Sequence, residues 1–301
     1  ALADAIKKSG LDFYREICCA LGREANFAEY LRSVRRSGSS LEERHLRRIF
    51  EQLAKVPFSV CLVPRCGFLH FGTSRQLLQS GHSLLGQGSG APHPAACLSL
   101  NNDISKAGRL RGRNSWVEGC RIRSALTLGG DNVVIGVDVD RPVSLPERTV
   151  VDVLKGNDRK GNKVWFVRCY GLDDVFNKSM SEGARLANLP LADWLGIMGA
   201  SERDIWDKRI APEERQVWFG RIFPSVSDPR DATGWLWMLS PSKATPRQKK
   251  RWLEAERSSF AEMAALASQD DFHKRRLENR AEELLRSLRH VFSPPGTKAA
   301  R

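Results

Sequence analysis

Residues 98–151 have the sequence LSLNNDISKAGRLRGRNSWVEGCRIRSALTLGGDNVVIGVDVDRPVSLPERTVV, in which apolar residues recur at every sixth position. The repeat comprises Leu98, Ile104, Leu110, Trp116, Ile122, Leu128 and Val134, and after one deleted position it resumes at Val139, Leu145 and Val151. Neither an amphipathic helix nor an alternating strand has this period, whereas each side of a parallel β-helix coil sends one apolar side chain inward. The polar residues and glycines in between suit a solvated wall and disfavour a helix. The stretch therefore predicts about three coils of a left-handed parallel β-helix built from hexapeptide repeats.

The residues before the coils predict helices followed by two strands. Apolar faces with helical spacing run through residues 13–34 and 41–53, and Pro57 ends the last of these helices. FSVCLVP (58–64) and GFLHFGTS (67–74) are short apolar runs that predict two buried strands. GQGSGAPHPAA (86–96) is rich in glycine and proline and predicts a mobile loop that leads into the coils.

The residues after the coils predict a hairpin and then helices. TVVDVL (149–154) and KVWFVRCYG (163–171) have the composition of paired strands. Tryptophans follow, and five of them are interpreted as anchors of a small helical subdomain, namely Trp194, Trp206, Trp218, Trp235 and Trp237. The final third keeps helical spacing up to Pro294, and we expect this tail to pack on the side of the coil stack.

Composition limits the class of partner and the compartment. The chain has 301 residues, a net charge of +13 and seven cysteines. The odd number of cysteines predicts a reducing, cytoplasmic setting, and Cys61 with Cys66 lacks the second pair of a structural zinc site. Basic residues are spread among acidic ones without a nucleic-acid-binding motif, so we expect no nucleic acid and favour a small anionic substrate such as a nucleotide or sugar phosphate. No apolar run is long enough for a bilayer, so we expect no membrane partner.

The chemistry cannot be derived from catalytic motifs. The sequence contains no G-x-S-x-G, H-E-x-x-H, P-loop or G-x-G-x-x-G. None of its six histidines lies within the coils, which counts against a hexapeptide acyltransferase. The turn formed by Gly72, Thr73 and Ser74 would expose backbone N–H groups to an anion or a sugar hydroxyl, or it could be an ordinary helix cap.

Several segments resemble one enzyme family. PFSVCLVPRCGFLHFGTSRQLL (57–78) is similar to the end of the catalytic domain in the fucose-1-phosphate guanylyltransferase (GDP-fucose pyrophosphorylase) family, which includes bifunctional fucokinase enzymes. LDFYREICCALG (11–22), NSWVEGCRIR (114–123) and VRCYGLDD (167–174) resemble further segments of that family in the same order. ERDIWD, RQVWFGRIFP and FHKRRLENR also look similar, so the resemblance covers nearly the whole chain.

The resemblance implies a reaction and a site. Members of the family convert GTP and fucose 1-phosphate to GDP-fucose and pyrophosphate with Mg²⁺, a reaction that needs alignment and charge neutralisation. We expect His70, Gly72, Thr73, Ser74 and Arg75 to line the sugar-phosphate side, and we assign neither a catalytic residue nor a metal ligand. His70 stands where related enzymes have a metal-binding aspartate, and imidazole is a poor Mg²⁺ ligand, so a substrate or structural role is expected.

The resemblance also implies a division of the chain. Residues 1–85 correspond to the C-terminal part of a Rossmann-like nucleotidyltransferase domain, 86–97 to a flexible loop and 98–155 to the β-helix. Residues 156–240 form a strand with a small helical subdomain, and 241–301 form C-terminal helices, which makes the fold mixed α/β. The family's glycine-rich nucleotide loop is missing, so we expect a piece of a larger enzyme, with a possible kinase domain in the same polypeptide, that is inactive alone. The alternatives are a non-catalytic β-helix scaffold or regulatory subunit and, less favoured, the acyltransferase.

Overall fold

The computed structural model describes residues 2–22, 24–59, 61–64, 66–67, 69–89, 97–208, 210–212 and 215–292. The chain divides into two compact units, Ala1–Phe68 (unit 1) and Leu69–Arg301 (unit 2). No helix within these described ranges is both long enough and apolar enough to cross a membrane.

Unit 1 is helical, as its apolar spacing predicts. Its elements are α1 (Leu2–Ser9), a π-helical turn (Phe13–Ile17), a 3₁₀ turn (Cys18–Ala20), α2 (Phe27–Arg36) and α3 (Glu43–Leu53). The side chain of Asn26 caps α2 by accepting a hydrogen bond of 2.8 Å from the Ala28 N–H. The helices enclose a small core of Ala20, Tyr30, Val34, Leu41, Leu46 and Ile49.

The two strands predicted over 58–64 and 67–74 are wrong. The described residues between 57 and 73 form no strand, and the side chains of Leu62 and Val63 are 88% and 66% exposed. An apolar β-rich run becomes a strand only when its backbone pairs with a neighbouring strand, and no described residue pairs with this one. The Rossmann-like nucleotidyltransferase part therefore stays a prediction.

Unit 2 is built on a parallel β-solenoid of three coils, which confirms the prediction from the six-residue repeat. The first coil comprises β1 (Cys97–Leu100), β2 (Asp103–Ile104) and β3 (Arg109–Arg111), and the second β4 (Ser115–Glu118), β5 (Arg121–Ile122) and β6 (Ala125–Leu128). The third comprises β7 (Val133–Ile135), β8 (Asp138–Val139) and β9 (Val143–Leu145). Corresponding strands of successive coils pair in parallel and form three faces. The left-handed sense of the coils stays a prediction.

The six-residue repeat predicts a column of inward-pointing apolar side chains on each face. The strand register confirms this column on the second face and corrects it on the first. Ile104, Ile122 and Val139 stack on the second face. On the first face the inward column contains Val117 and Val134, so the prediction that Leu98 and Trp116 point inward is wrong. Leu98 and Trp116 lie in the adjacent position of the strand, and successive side chains of a strand point to opposite faces.

The outer side of the first face is covered by α4 (Ser74–Ser89). Leu78 of this helix packs with Val133 and Val150, and Trp116 lies beside them. The helix runs into the predicted loop 86–97, so residues 86–89 are helical despite two glycines, and residues 90–96 of that loop lie outside the described residues.

The hairpin after the coils is confirmed. β10 (Thr149–Asn157) pairs in parallel with β7 and antiparallel with β11 (Lys163–Gly171), which makes it the bridge from solenoid to hairpin. The short strands β12 (Arg185–Leu186) and β13 (Leu189–Pro190) pair with each other, whereas β14 (Phe223–Val226) and β15 (Arg257–Ser258) extend the hairpin sheet.

Four short helices follow the hairpin, α5 (Leu191–Met198), α6 (Glu202–Ile205), α7 (Pro246–Glu254) and α8 (Phe260–Leu266), and the 24-residue α9 (Gln269–Phe292) comes last. The described 3₁₀ segments are Met180–Glu182, Val217–Phe219, Pro229–Leu239 and Pro241–Lys243. Trp194, Trp206 and Trp235 are buried anchors, as predicted, whereas Trp218 is 39% exposed. The C-terminal α9 packs on the side of the coils, where Arg275 Nε donates to the Gly119 carbonyl over 2.6 Å.

Candidate functional site

The predicted site residues lie in unit 2, at and before the first turn of α4. Thr73 Oγ1 accepts a hydrogen bond of 3.2 Å from the Gln76 N–H, and the Thr73 carbonyl accepts one of 3.0 Å from the Leu77 N–H. Thr73 is therefore the N-cap of α4, which confirms the helix-cap alternative for this residue.

His70 folds back over Gly72. The His70 carbonyl accepts a hydrogen bond of 2.8 Å from Ser80 Oγ, which ties the segment before the helix to the helix itself. A Cβ atom at position 72 would collide with Nε2 of the His70 imidazole and would lie 3.2 Å from Gln76 Oε1. Glycine at position 72 is thus required for the observed placement of the imidazole ring.

Arg75 belongs to an ion-pair cluster at the first turn of α4. Its Nη2 lies 2.6 Å from Asp173 Oδ2, its Nε contacts Oδ1 of the same carboxylate, and Arg148 Nη2 lies 2.6 Å from Oδ2. The hydrogen bond from Arg75, followed by that from Arg148, lowers the pKa of Asp173 to about 2 against the opposing effect of burial. Two guanidinium groups share one carboxylate here, and Asp131 adds only a through-space interaction with Arg75.

The backbone of Arg148 is in a rare conformation. Its φ of 56° lies in the left-handed region, where side chains other than Asn, Asp and Gly are uncommon. Such a conformation costs on the order of 1 kcal/mol and persists only where surrounding contacts hold it. The Arg148 carbonyl accepts hydrogen bonds from the Leu172 N–H and from Asn188 Nδ2, and these contacts hold the residue beside Asp173.

Asp174, the neighbour of Asp173, organises the loop after β11. Its carboxylate accepts hydrogen bonds from the N–H groups of Gly171, Ala187 and Asn188, at 2.5, 2.7 and 3.2 Å. Burial nevertheless raises the pKa of this carboxyl group. Because its oxygens are taken up by backbone amides, Asp174 positions the loop and offers little to a ligand.

Ser74 lies beside the partly buried Tyr170 of β11. Its hydroxyl interacts with the Tyr170 hydroxyl, whose pKa is raised to about 12, chiefly by burial and secondly by the charge of Asp152. The ring of Tyr170 packs edge-on against Phe176 and Phe260, with centroids 5.0 and 5.7 Å apart. Ser74 therefore joins the start of α4 to the hairpin strand β11.

These elements enclose a cavity of about 690 Å³. Its wall consists of Phe71, Gly72, Thr73, Ser74, Arg75, Leu77, Leu172, Asp173, Asp174, Val175, Phe176, Asn177 and Trp218. Four of the five predicted site residues thus line one cavity. The fifth, His70, has its imidazole ring next to Gly72, which is one of the lining residues. The cavity is polar at the α4 end and apolar where Phe71, Val175 and Trp218 are half exposed.

The sequence predicts Trp218 to be an anchor of the helical subdomain, and the structure places it in this wall. Its indole stacks on Phe260 with a centroid distance of 5.6 Å and an interplanar angle of 9°, and its outer surface stays accessible. Arg148 and Tyr170 were also missed as neighbours of the site. Asp173 carried a usable signal, because it lies in the VRCYGLDD segment that marks the resemblance.

The cavity does not fit a Mg²⁺ site. Mg²⁺ requires several free oxygen ligands in octahedral geometry. The carboxylates in the lining are Asp173, which is bound by two guanidinium groups, and Asp174, which is bound by three amides. Within the described ranges no cluster of three or more His, Cys, Asp or Glu residues could hold a metal ion. The metal of the implied reaction therefore receives no ligand from this cavity.

Comparisons with known proteins agree with the resemblance seen in the sequence. A family model described as the fucose pyrophosphorylase domain matches residues 3–228, which include every residue of the cavity wall. The L-fucokinase/L-fucose-1-P guanylyltransferase of Bacteroides fragilis is 25% identical over 237 residues, covering 74% of this chain and 24% of that protein. The chain thus spans 24% of the length of the curated relative that it matches. No solved structure matches the chain.

Proposed function

This chain belongs to the fucose pyrophosphorylase family, and we propose that it is part of an enzyme that forms GDP-fucose and pyrophosphate from GTP and fucose 1-phosphate. The family match across residues 3–228 carries this proposal, since it covers unit 1, the solenoid and the whole cavity. The name of the Bacteroides fragilis protein joins a fucokinase to a guanylyltransferase, so a kinase domain in the same polypeptide is part of the proposal.

In this proposal the cavity at α4 receives the sugar phosphate. Arg75 lines the cavity and Arg148 shares its partner Asp173, so the phosphate would be bound by guanidinium groups that donate to this carboxylate in the free chain. The exposed faces of Trp218, Val175 and Phe71 suit the apolar side of a deoxysugar ring, because aromatic and aliphatic surfaces pack against C–H groups. The amides at the start of α4 add the positive end of the helix dipole.

The chain's own contribution to the reaction is binding and alignment. Attack of a sugar-phosphate oxygen on the α-phosphorus of GTP needs no protein nucleophile, so positioning the phosphate in line accounts for this part of the catalysis. Mg²⁺ would neutralise the triphosphate when bound. The Mg²⁺ ligands, a GTP-binding loop and a cytoplasmic location are further parts of the proposal. Neither the Mg²⁺ ligands nor the loop is assigned to residues of this chain.

His70 and Thr73 provide the test in the complete enzyme. His70→Ala and Thr73→Ala are expected to raise KM for fucose 1-phosphate or to lower kcat, because both residues border the proposed sugar-phosphate position. Thr245→Ala is the matched control, since Thr245 caps α7 in the same way, with its hydroxyl 3.2 Å from the Gln248 N–H, and lies outside the cavity wall. Unchanged kinetics in both cavity variants would refute the assignment.

A non-catalytic scaffold is the second candidate, and one observation favours it. Thr73, Ser74 and Arg75 each already have a partner within the fold, as a helix cap, a tyrosine contact and an ion pair. Calorimetric titration of the chain with fucose 1-phosphate, inorganic phosphate and fucose separates the two functions. Binding of fucose 1-phosphate that is lost in Arg75→Ala supports the enzyme, whereas no heat with any of the three supports the scaffold.

A further inference from the structure

A groove in unit 2 between α7 and the 3₁₀ segment Pro229–Leu239 carries excess positive charge. It has a volume of about 570 Å³ and is lined by Trp235, Arg247, Lys250, Arg251, Glu254 and Ala255. The negative group of the lining is Glu254, whose carboxylate lies 3.7 Å from Lys250 Nζ in an exposed pair. Three cationic side chains therefore face one carboxylate, and the groove keeps a net positive charge.

The position of the basic residues on α7 is unfavourable for the helix itself. The helix begins at Pro246, and its first turn contains Arg247 and Lys249 and no acidic residue. Cations near a helix N-terminus oppose the helix dipole at a cost of about 0.3–1 kcal/mol each. An anion bound in the groove would offset this penalty at Arg247, the first-turn cation that lines the groove.

Two guanidinium groups also converge on one glycine at the groove. The Cβ position of Gly234 lies 3.5 Å from Arg141 Nη2 and 3.7 Å from Arg251 Nη1. Arg141 Nε donates to Thr233 Oγ1 over 3.2 Å, and the Arg251 guanidinium lies 4.2 Å from the centroid of the Trp235 ring. Among the residues that the structure describes, no carboxylate forms an ion pair with Arg141, Arg247 or Arg251. Like charges held this close favour a shared counterion.

Trp235 supplies a donor without an acceptor. Its side chain lines the groove and is 2% exposed, and its Nε1 has no hydrogen-bond partner among the described residues. A buried donor left without an acceptor costs about 1–3 kcal/mol. The role of Trp235 in the groove is therefore that of a wall, with its ring against the Arg251 guanidinium.

We propose that this groove is a binding site for a small, multiply charged phosphate anion. Guanidinium groups bind phosphate oxygens in pairs, and Lys250 adds a point charge. The residues of this site differ from those of the cavity at α4, so the site stands whether or not the proposed function does.

The test uses the whole chain and inorganic pyrophosphate. Arg247→Glu and Lys250→Glu reverse exposed charges in the groove, whereas Lys249→Glu makes the same change on the same helix at a residue outside the groove lining. In calorimetric titration at low salt, each groove variant is expected to bind pyrophosphate at least about tenfold more weakly than the original chain, which is 1.4 kcal/mol or more. Lys249→Glu is expected to stay within about twofold.

Three results would overturn the proposal. The first is that the unaltered chain does not bind pyrophosphate. The second is that Lys249→Glu weakens binding as much as the groove variants do, which would make the effect one of net charge. The third is a single-stranded oligonucleotide that binds at least tenfold more tightly than pyrophosphate and is released by the groove variants, because the ligand would then be a nucleic acid. A thermal unfolding curve for each variant verifies that it is folded.

Discussion

At the scale of single residues, the absence of a side chain at Gly72 determines where the His70 imidazole can lie. The His70 imidazole occupies the space that a Cβ at position 72 would need, and the atom it would meet is the far end of a side chain that can rotate away. We therefore expect Gly72→Ala to displace His70 while lowering the free energy of unfolding by less than about 1 kcal/mol.

Proton NMR of the imidazole ring is the measurement for Gly72→Ala. The His70 ring signals should shift in that variant, and Gly67→Ala is the control, because a Cβ at position 67 meets nothing within 4 Å. Equal His70 signals in both variants would show that the imidazole does not depend on the glycine.

Asp173 makes a pH-dependent contribution to stability. Its pKa falls from an ordinary 3.8 to about 2 in the folded chain, chiefly through the hydrogen bond from Arg75. Because the folded value is the lower one, the unfolded chain takes up the proton first as the pH falls. The stabilisation is therefore complete above about pH 4 and is lost as the pH approaches about 2.

Asp173→Asn lacks this contribution at every pH, so it should be less stable than the original chain at neutral pH. The difference in unfolding free energy between the two proteins should shrink as the pH falls from about 5 to about 2.5. Urea unfolding at a series of pH values measures it, and a difference that stays constant over this range would contradict the lowered pKa.

At the scale of elements, the sequence predicted that the coils exist, but on the first face it did not predict which residue points inward. Each side of a coil is short and flat and needs one inward apolar side chain, so the six-residue period is visible in the sequence. On the first face the sequence does not show which of two adjacent apolar residues points inward, because both are covered. Trp116 packs under α4, and Val117 packs inside the coils. Only the packing of the helix distinguishes them.

The same dependence on neighbours explains the other misses. The run at 58–64 has the composition of a strand, but no described residue pairs with its backbone. Composition alone therefore predicted a strand that does not form. Residue type predicts Trp218 to be an anchor, whereas its place in the cavity wall depends on stacking on Phe260, which is 42 positions away in the chain. Contacts of that kind leave no local pattern.

Gly81 tests the packing of α4 on the first face. A Cβ at this position would lie 2.5 Å from Cζ3 of Trp116 and 3.0 Å from Cδ1 of Leu98. The indole cannot move freely, because its Nε1 donates to Glu118 Oε2 over 2.9 Å. Although alanine favours a helix, we expect Gly81→Ala to lower the free energy of unfolding by about 1–3 kcal/mol.

Gly196 in α5 provides the matched control. It is exposed and a Cβ there meets nothing within 4 Å, so Gly196→Ala should raise the free energy of unfolding by about 0.5–1 kcal/mol. Denaturant unfolding of both variants compares the same substitution in two helices. Stabilisation by Gly81→Ala would mean that α4 does not pack closely on the solenoid.

At the scale of the whole molecule, each unit has its own apolar core. Among the described residues of unit 1, the core contains six buried hydrophobic residues, all between Ala20 and Ile49. The cores of unit 2 lie entirely within residues 69–301, and they continue from the solenoid through the hairpin to the tryptophans of α5 and α7. Because the described core of unit 1 is the smaller one, unit 1 should be the less stable of the two.

This separation predicts the outcome of cutting the chain after Phe68. Residues 69–301 alone should keep a cooperative thermal transition, because the parallel rungs, the hairpin and the cavity at α4 all form within that segment. Residues 1–68 alone should unfold at lower temperature or lack a sharp transition, since six buried side chains offset little conformational entropy. Circular dichroism of the two pieces and of the intact chain measures this. A segment 69–301 without cooperative unfolding would show that the solenoid needs the helical unit to fold, and the cavity could then not be studied apart from it.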